Sequence, residues 1–328
     1  MNELLSICIP TYNRSETLKG CLESIIPQAS KYYIPIYVSD NASEDDTKEI
    51  VAALQQTYEG IYYSRNEQNL GADHNIELVL KMSKSKYTWL FGDRGRLFEG
   101  AIESILPHLS GVDHDLMVVN SFQDYDVENK KYELREKDIS YQFVYFDQNQ
   151  LLEELGWHMT YVSSLILGAD IIRSGNFKKY RWTEIAQIGI IFEYLSGKKI
   201  SVLWMPRPVT YGVKAATGWG DRAFEIYITN WMNMINSLPS DYRESAKRAC
   251  IKAHGIKANL FTLRGLLRLR AGGHFNYVLY KRYSSYFKYV TNVPRFIVFL
   301  ISILPPIPSA TIIMLHKIRD YFRPKWNE

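Results

Sequence analysis

The residues with the clearest chemical content sit where apolar runs stop. The stretch WLFGDRGRLFEG, Trp89 to Gly100, ends a strand-like run in one carboxylate, Asp93, with Arg94 and Arg96 close behind. A carboxylate accepts hydrogen bonds from hydroxyls and ring N–H groups, and a guanidinium keeps its charge and presents a planar fork of donors. One acid kept beside two such cations reads as a binding loop. Three other apolar runs also end in polar residues: Thr11 with Asn13, Asp40 with Asn41, and Asn69. Four independent ends of this kind point to a binding site rather than to four solvated loops.

The elements that must position these residues alternate along the first ~120 residues. Leu4 to Ile9 is a strand-like run stopped by Pro10, and Leu18, Cys21, Leu22, Ile25, Ile26 and Ala29 mark one face of a helix. Ile34 to Val38 reads as a strand. Ser43 and Asp46 read as a capping box for a helix over about Thr47 to Thr57. Further strands are expected at Ile61–Ser64, Tyr87–Phe91 and Leu116–Val119. Helices are expected around Ile76–Leu80 and over Leu97–Leu109. This βαβαβ order predicts an α/β fold, a mostly parallel sheet with helices on both faces. Such sheets bind ligands beyond the carboxyl ends of their strands, where the polar residues lie.

Beyond residue 121 the pattern weakens. Asp124 to Ser140 is charged and reads as a hairpin or excursion. Ser163–Leu167 and Ile200–Trp204 read as strands and Ile185–Leu195 as a helix. Arg207 to Arg222, rich in Gly, Lys and Thr, reads as a mobile loop. Ala223 to Leu269 is helical in pattern and basic. The expected division is a binding domain over 1–215 and a mainly helical region over 216–328.

Composition narrows the class. The chain has 328 residues, 46% of them apolar and 23% charged, enough for one large core and against global disorder. With Lys+Arg 39 against Asp+Glu 35, the formal charge of +4 is too small for a nucleic-acid binder. Cys8, Cys21 and Cys250 form no CxxC pair, so neither a zinc site nor a disulfide framework is expected. No signal-peptide pattern precedes the first strand. A GxGxxG turn after that strand, which a dehydrogenase would need, is absent, and so is the Gly-rich basic loop of a nucleotidyltransferase.

Phe296 to Leu315 is twenty residues without formal charge, interrupted by Pro305, Pro306 and Pro308. Lys288 and Arg295 precede it, and Lys317, Arg319, Arg323 and Lys325 follow. It reads as two short apolar segments at a membrane interface with basic residues on the headgroups. A buried helical hairpin closing a core or a homo-oligomer interface is the alternative.

In order and spacing, ICIPTYNR (7–14), VSDNASEDDT (38–47), NLGADHNI (69–76) and WLFGDRGR (89–96) resemble the nucleotide-sugar domain of family 2 glycosyltransferases. Within that family the chain is most similar to bacterial surface-polysaccharide, abequosyltransferase-like enzymes, and the resemblance covers residues 3 to about 215. It implies the GT-A fold and a nucleoside-diphosphate sugar donor, a UDP-sugar first among them. It also implies a glycan or lipid-linked acceptor and a place on the cytoplasmic face of the membrane. It puts Pro10, Thr11, Tyr12, Asn13 and Asp40 at the base and ribose, and Asn69 and Gly71 in the loop beneath. Asp93 becomes the ribose-side carboxylate, with Arg94 and Lys214 near the diphosphate. A base at the start of a helix some ninety residues later is also implied, and Glu184 in WTEIAQIG stands there. Glu193 is the reserve. His158, Trp182 and Trp219 are candidates for lining the acceptor site or stacking on a sugar, although packing explains each as well.

The sequence departs from the family at the acid that usually ligates Mn2+ or Mg2+. Its position is Gly95. Three explanations stand open. Cations such as Arg94, Arg96, Arg207, Lys214 or Arg222 replace the metal. Asp93 alone holds one with the diphosphate. Or the chain binds a nucleotide or partner without transferring sugar, as a scaffold in polysaccharide assembly.

Overall fold

A computed structural model of the chain describes residues 2–126, 131–213 and 220–305. Strand β1 (Leu5–Thr11) is buried along almost its whole length, and its run of Ile, Cys and Leu is that of a central strand covered on both faces. It pairs in parallel with β2 (Ile36–Asp40) on one side and, after two more strands in sequence, with β4 (Tyr87–Leu90) on the other. Between them, β3 (Ile61–Arg65) adds in parallel to the outer edge of β2. The crossovers are α1 (Ser15–Lys31), α2 (Thr47–Gln55) and α3 (Ala72–Met82).

The other half of the sheet is mixed. It holds β5 (Gly95–Leu97), β6 (Leu116–Asp126), β7 (Lys131–Leu134), β8 (Phe143–Tyr145), β9 (Leu165–Gly168) and β10 (Val202–Val213). The order is β3-β2-β1-β4-β9-β6-β10-β5, with β7 on β6 and β8 on β10. β6 and β10 are parallel, whereas β9, β5, β7 and β8 run antiparallel to their neighbours. Helices α4 (Ala101–Gly111), α5 (Gln148–Leu155), α6 (Ala169–Ser174), α7 (Phe177–Tyr180) and α8 (Ala186–Leu195) complete this part.

Three sequence expectations are corrected. The helix expected from Leu97 starts at Ala101, because Gly95–Leu97 is drawn into the sheet against Thr210–Gly212 of β10, and Gly100 turns the chain with φ 73°. The loop expected from Arg207 is strand as far as Val213, held by β6 and β5 together. Lys214 and Trp219 lie outside the described residues. Ser43 does not cap α2: its hydroxyl accepts the Asn13 N–H at 2.9 Å. The N-cap residue, Asp46, makes no side-chain capping bond either; Asp45 before it accepts the Thr47 N–H at 3.3 Å and, at 2.8 Å, the Ser15 N–H at the start of α1.

The core lies between α1, α4 and the sheet, with Leu18, Leu22, Ile25, Ile102 and Ile105 fully buried against Ile7, Val38 and Trp89. Trp89 also donates its ring N–H to Ser163 O at 2.9 Å, which fixes Ser163 beside the turn after β4. Truncating a buried indole of this kind costs about 3–5 kcal/mol.

The chain divides into two compact units: residues 1–216 with 233–250, and 217–232 with 251–328. The return segment closes on the first unit: Tyr242 donates to Phe192 O at 2.6 Å, and the Arg243 N–H to Asn149 at 2.6 Å. The second unit is helical, with helices at Leu263–Ala271, Tyr277–Tyr283 and Arg295–Ile303 around Phe224, Phe261, Phe275 and Phe287. Among the described residues no helix is long and apolar enough to cross a membrane. The rest of the expected tail, with Pro306, Pro308 and the four cations beyond, lies outside them.

Candidate active site

Thr11 ends β1, and Asp93 follows β4, its neighbour in the sheet. The Thr11 hydroxyl donates to Asp93 Oδ2 at 3.1 Å. Arg14, in the turn before α1, donates through Nη1 to Asp93 Oδ1 at 3.1 Å. Both carboxylate oxygens are thus engaged. Asp93 is 4% exposed, whereas the Arg14 side chain keeps 34% of its surface. Burial pushes the Asp93 carboxyl above its ordinary value. The Arg14 and Arg94 charges and the Thr11 bond pull the other way without cancelling it.

The backbone after Asp93 leaves no room for a second acid. The Gly95 N–H closes a turn on Gly92 O at 2.8 Å, and the Gly92 N–H donates to Ser163 Oγ at 3.0 Å. A Cβ on Gly95 would stand 2.6 Å from the Phe91 ring, 2.8 Å from Ser163 Oγ and 3.0 Å from Gly92 O. The family's metal-ligating side chain is therefore excluded by packing as well as absent. Among the described residues no group of three or more His, Cys, Asp or Glu could hold a metal. With Asp93 committed to Arg14 and Thr11, the described residues supply no set of side chains that would by itself hold a Mn2+ or Mg2+ ion.

The two arginines of the motif turn elsewhere. Arg94 reaches Val213 O through Nε and Nη2 at 3.4 and 3.3 Å, while its own carbonyl accepts the Val213 N–H at 3.0 Å. Arg96 donates to Gly95 O at 2.9 Å and lies over Gly20. The guanidinium on Asp93 is Arg14. Sequence reading passed over it, because it pairs across 79 residues.

Asp40, at the end of β2, is fully buried. Its Oδ1 accepts the Ser43 N–H at 2.8 Å. Its Oδ2 accepts the Tyr63 hydroxyl at 2.5 Å and faces Arg65 Nε at 3.4 Å. Pro10 lies beside Ser39 in the β1–β2 register. Tyr12 keeps 41% of its surface exposed, leaving a ring face open for stacking. Asn13 has φ 50° and accepts the Glu44 N–H at 2.7 Å.

An asparagine network joins the strand ends. Asn41 donates to Asn69 Oδ1 at 2.8 Å and accepts from Asn66 and from the Leu70 N–H, at 3.0 and 2.9 Å. Asn69 also accepts the Gly71 N–H at 2.9 Å, and Gly71, with φ 84°, leads into α3. Asn75, one turn into α3, accepts from Ser39 Oγ at 2.7 Å and donates to Ser39 O and Thr11 O at 2.9 and 3.4 Å. Thr11, Asn41, Asn69 and Gly71 of this set stand out in the sequence; the joining role of Asn75 does not.

Glu184 precedes α8 and is half-buried, with φ 62°. Its N–H donates to Asp73 Oδ2 at 2.6 Å. Asp73 lies two residues before Asn75, so the first turn of α3 bonds the Glu184 backbone and the end of β1 together. Trp182, two residues from Glu184, is 50% exposed. Glu193 pairs with Lys179 at 3.1 Å. His158 is a core residue: it is fully buried, hydrogen-bonded to Val119 O at 3.0 Å and edge-on to Trp157 and Trp204. Arg207 is exposed on β10, and Arg222 pairs with Glu225 at 3.1 Å.

The sheet order and the polar residues at its carboxyl edge define the class, a GT-A fold. The chain resembles S. aureus TarS 1–349 in complex with UDP at TM-score 0.55 and 15% identity, covering 83% of this chain and 80% of that one. It resembles the mannosyltransferase PcManGT from Pyrobaculum calidifontis, in complex with GDP-Man and Mn2+, at TM-score 0.54 and 10% identity, covering 99% and 82%. Residues 6–170 match the glycosyl transferase family 2 model, and the chain belongs to that family. It is 38% identical over 108 residues to abequosyltransferase RfbV of Salmonella typhimurium, 32% of either chain. It is 32% identical over 103 residues to a GalNAc(5)-diNAcBac-PP-undecaprenol beta-1,3-glucosyltransferase of Campylobacter jejuni, 31% of this chain and 33% of that one. These matches span about a third of the length of the relatives.

Proposed function

We propose that the chain is an inverting glycosyltransferase that moves a sugar from a UDP-sugar to a hydroxyl of a lipid-linked or growing bacterial surface glycan, without a metal ion. The observation that carries this reading is the Arg14–Asp93–Thr11 cluster beside the filled Gly95 turn. Arg14 meets Asp93 through one nitrogen and leaves further guanidinium donors for the donor diphosphate. Lys214 and Arg94 are assigned to the same diphosphate. Pro10, Thr11, Tyr12, Asn13 and Asp40 are assigned to the nucleoside, above the loop shaped by Asn69 and Gly71. The relatives that bind UDP and GDP-Man, or are named as transferases to lipid-linked glycans, support this donor and acceptor class.

In the transfer, an acceptor hydroxyl oxygen bonds to the anomeric carbon from the face opposite the diphosphate. The bond from that carbon to the diphosphate oxygen breaks, and its electron pair leaves with the UDP. The hydroxyl proton passes to the Glu184 carboxylate as general base. Arg14 offsets the charge that grows on the leaving diphosphate.

The test is calorimetric titration with UDP, dTDP and CDP, in EDTA and then in manganese. Binding of UDP in EDTA, unchanged by manganese, supports the reading. Binding only with manganese refutes the metal-free site. Binding without release of UDP from any UDP-sugar favours the non-catalytic scaffold, a reading to which the absent acid at Gly95 lends weight.

We also place the protein on the inner face of the cell membrane. Residues 251–305 carry nine lysines and arginines and no aspartate or glutamate. Helix Arg295–Ile303 turns Val298 and Ile301 inward and leaves Phe296, Leu300 and Ile303 exposed. Ser284, Ser285, Lys288 and Arg295 line a groove of about 270 Å³ nearby. Cations beside exposed aromatics suit an anionic headgroup layer. Flotation with phosphatidylglycerol vesicles but not with phosphatidylcholine vesicles, lost at high salt, is the expected result. Equal binding to both, or to neither, refutes it.

A further inference from the structure

Glu184 holds a backbone conformation that L side chains rarely adopt, with φ 62°. Something outside its own segment must keep it there. Asp73, on the first turn of α3, accepts the Glu184 N–H at 2.6 Å on Oδ2 and the Ala186 N–H at 2.9 Å on Oδ1. The Thr183 hydroxyl lies 3.4 Å from Oδ2, but it donates over a shorter distance, 2.8 Å, to Tyr180 O and accepts the Ile185 N–H at 3.1 Å. One turn along α3, Glu77 Oε2 accepts from Arg181 Nε and Nη2 at 2.9 and 2.6 Å, while its Oε1 takes Lys81 at 2.6 Å. Two carboxylates four residues apart on one helix face therefore hold the segment 181–186. Two residues after Asp73, Asn75 bonds the ends of β1 and β2.

We propose that Asp73 is the positioning residue for the transfer step: it fixes the direction in which Glu184 presents its carboxylate, and it touches no substrate. The proposal rests on the reading of Glu184 as the base. Asp73 is 2% exposed, so a local capping role at the surface does not account for it. Two N–H groups converge on one buried carboxylate from the segment that carries Glu184. Its own helix gains nothing from those bonds. Burial and the Glu184 charge raise its carboxyl to about 6, and the two N–H bonds work against them. The charged groups that face this clamp are Glu184 itself and, one turn away, Glu77 with Arg181 and Lys81.

The test compares the full chain with Asp73→Asn, Glu184→Gln and the double variant. Turnover is read as UDP released from UDP-N-acetylglucosamine, UDP-glucose and UDP-galactose with a bacterial lipid extract. Binding is read by calorimetry with UDP, and local order by amide hydrogen exchange. Asp73→Asn is expected to lower kcat about 10- to 100-fold, leave UDP binding within about threefold, and speed exchange at Glu184 and Ala186 at least tenfold with β1 and β4 unchanged. Adding it to Glu184→Gln is expected to cost nothing further, because a misdirected base and a missing base are the same loss. Unchanged exchange, or losses that multiply in the double variant, overturns the proposal. Full turnover by Glu184→Gln, or none by the wild-type chain, removes the base reading and this proposal with it. Loss in Glu184→Gln with full turnover in Asp73→Asn removes this proposal alone. If Asp73→Asn does not fold, Asp73→Glu, which keeps the charge and shifts it by one methylene, is read by the same ratios.

Discussion

Arg14 and Asp93 form an ion pair at 3.1 Å between the turn after β1 and the turn after β4, with the acid buried and the base one-third exposed. A buried carboxylate stripped of its cation is costly, although solvent at the guanidinium lessens the loss. Arg14→Met is therefore expected to destabilise the protein by about 2 kcal/mol and to weaken UDP binding in EDTA about tenfold or more. Urea unfolding and calorimetry read the two effects. Asp93→Asn added to Arg14→Met should recover most of the stability and none of the binding. If the double variant binds as the wild type does, the pair is structural only.

Gly95 is packed against Phe91, Ser163 and the Gly92 carbonyl. Restoring the family acid with Gly95→Asp is expected to cost about 2–3 kcal/mol through overpacking and to create no manganese dependence of UDP binding. A stable Gly95→Asp protein whose UDP affinity rises with manganese would show that the turn opens to admit a ligand side chain.

Asp40→Ala is expected to raise the Kd for UDP at least tenfold, since it removes the acceptor shared by Ser43, Tyr63 and Arg65 at the end of β2. Glu184→Ala should leave UDP affinity within about twofold and lower turnover roughly a thousandfold, the range of a lost general base. Calorimetry and UDP release separate the two. The reverse pattern would mean that the base and nucleotide sites are misassigned.

Burial, helped by the charge of Glu184, lifts the Asp73 carboxyl to about 6, above its value in the unfolded chain. The folded protein then binds that proton more tightly than the unfolded one. The resulting stability is fully present below about pH 4 and is lost as the pH rises through 6, by about 3 kcal/mol. Urea unfolding at pH 4 to 7 should show this decline in the wild type relative to Asp73→Asn. Parallel curves for the two proteins would show that Asp73 titrates normally.

Much of the first half was legible because its signals are local. An apolar run ending in Pro10-Thr11, Ser39-Asp40 or Gly92-Asp93 marks a strand and its carboxyl end together, and the strands lie there. What stayed hidden is pairing over distance. Leu97, Ala101, Ile105 and Leu109 keep helical spacing, yet Leu97 belongs to a strand because β10 arrives from 113 residues later to pair with it. Nothing local in the sequence marks Arg14 or Asp73 within their motifs. Their partners, 79 and 111 residues away, are what give them their roles.

Cys8, Cys21 and Cys250 are all fully buried in the first unit, and burial holds each thiol far above its ordinary range. Thiolate, not thiol, reacts with alkylating agents. The native chain should ignore iodoacetamide, and each molecule labelled should record one opening of the sheet domain. The second unit, which has no cysteine, would stay silent in that signal. The protein thus carries its own counter for excursions of the half that holds the candidate site.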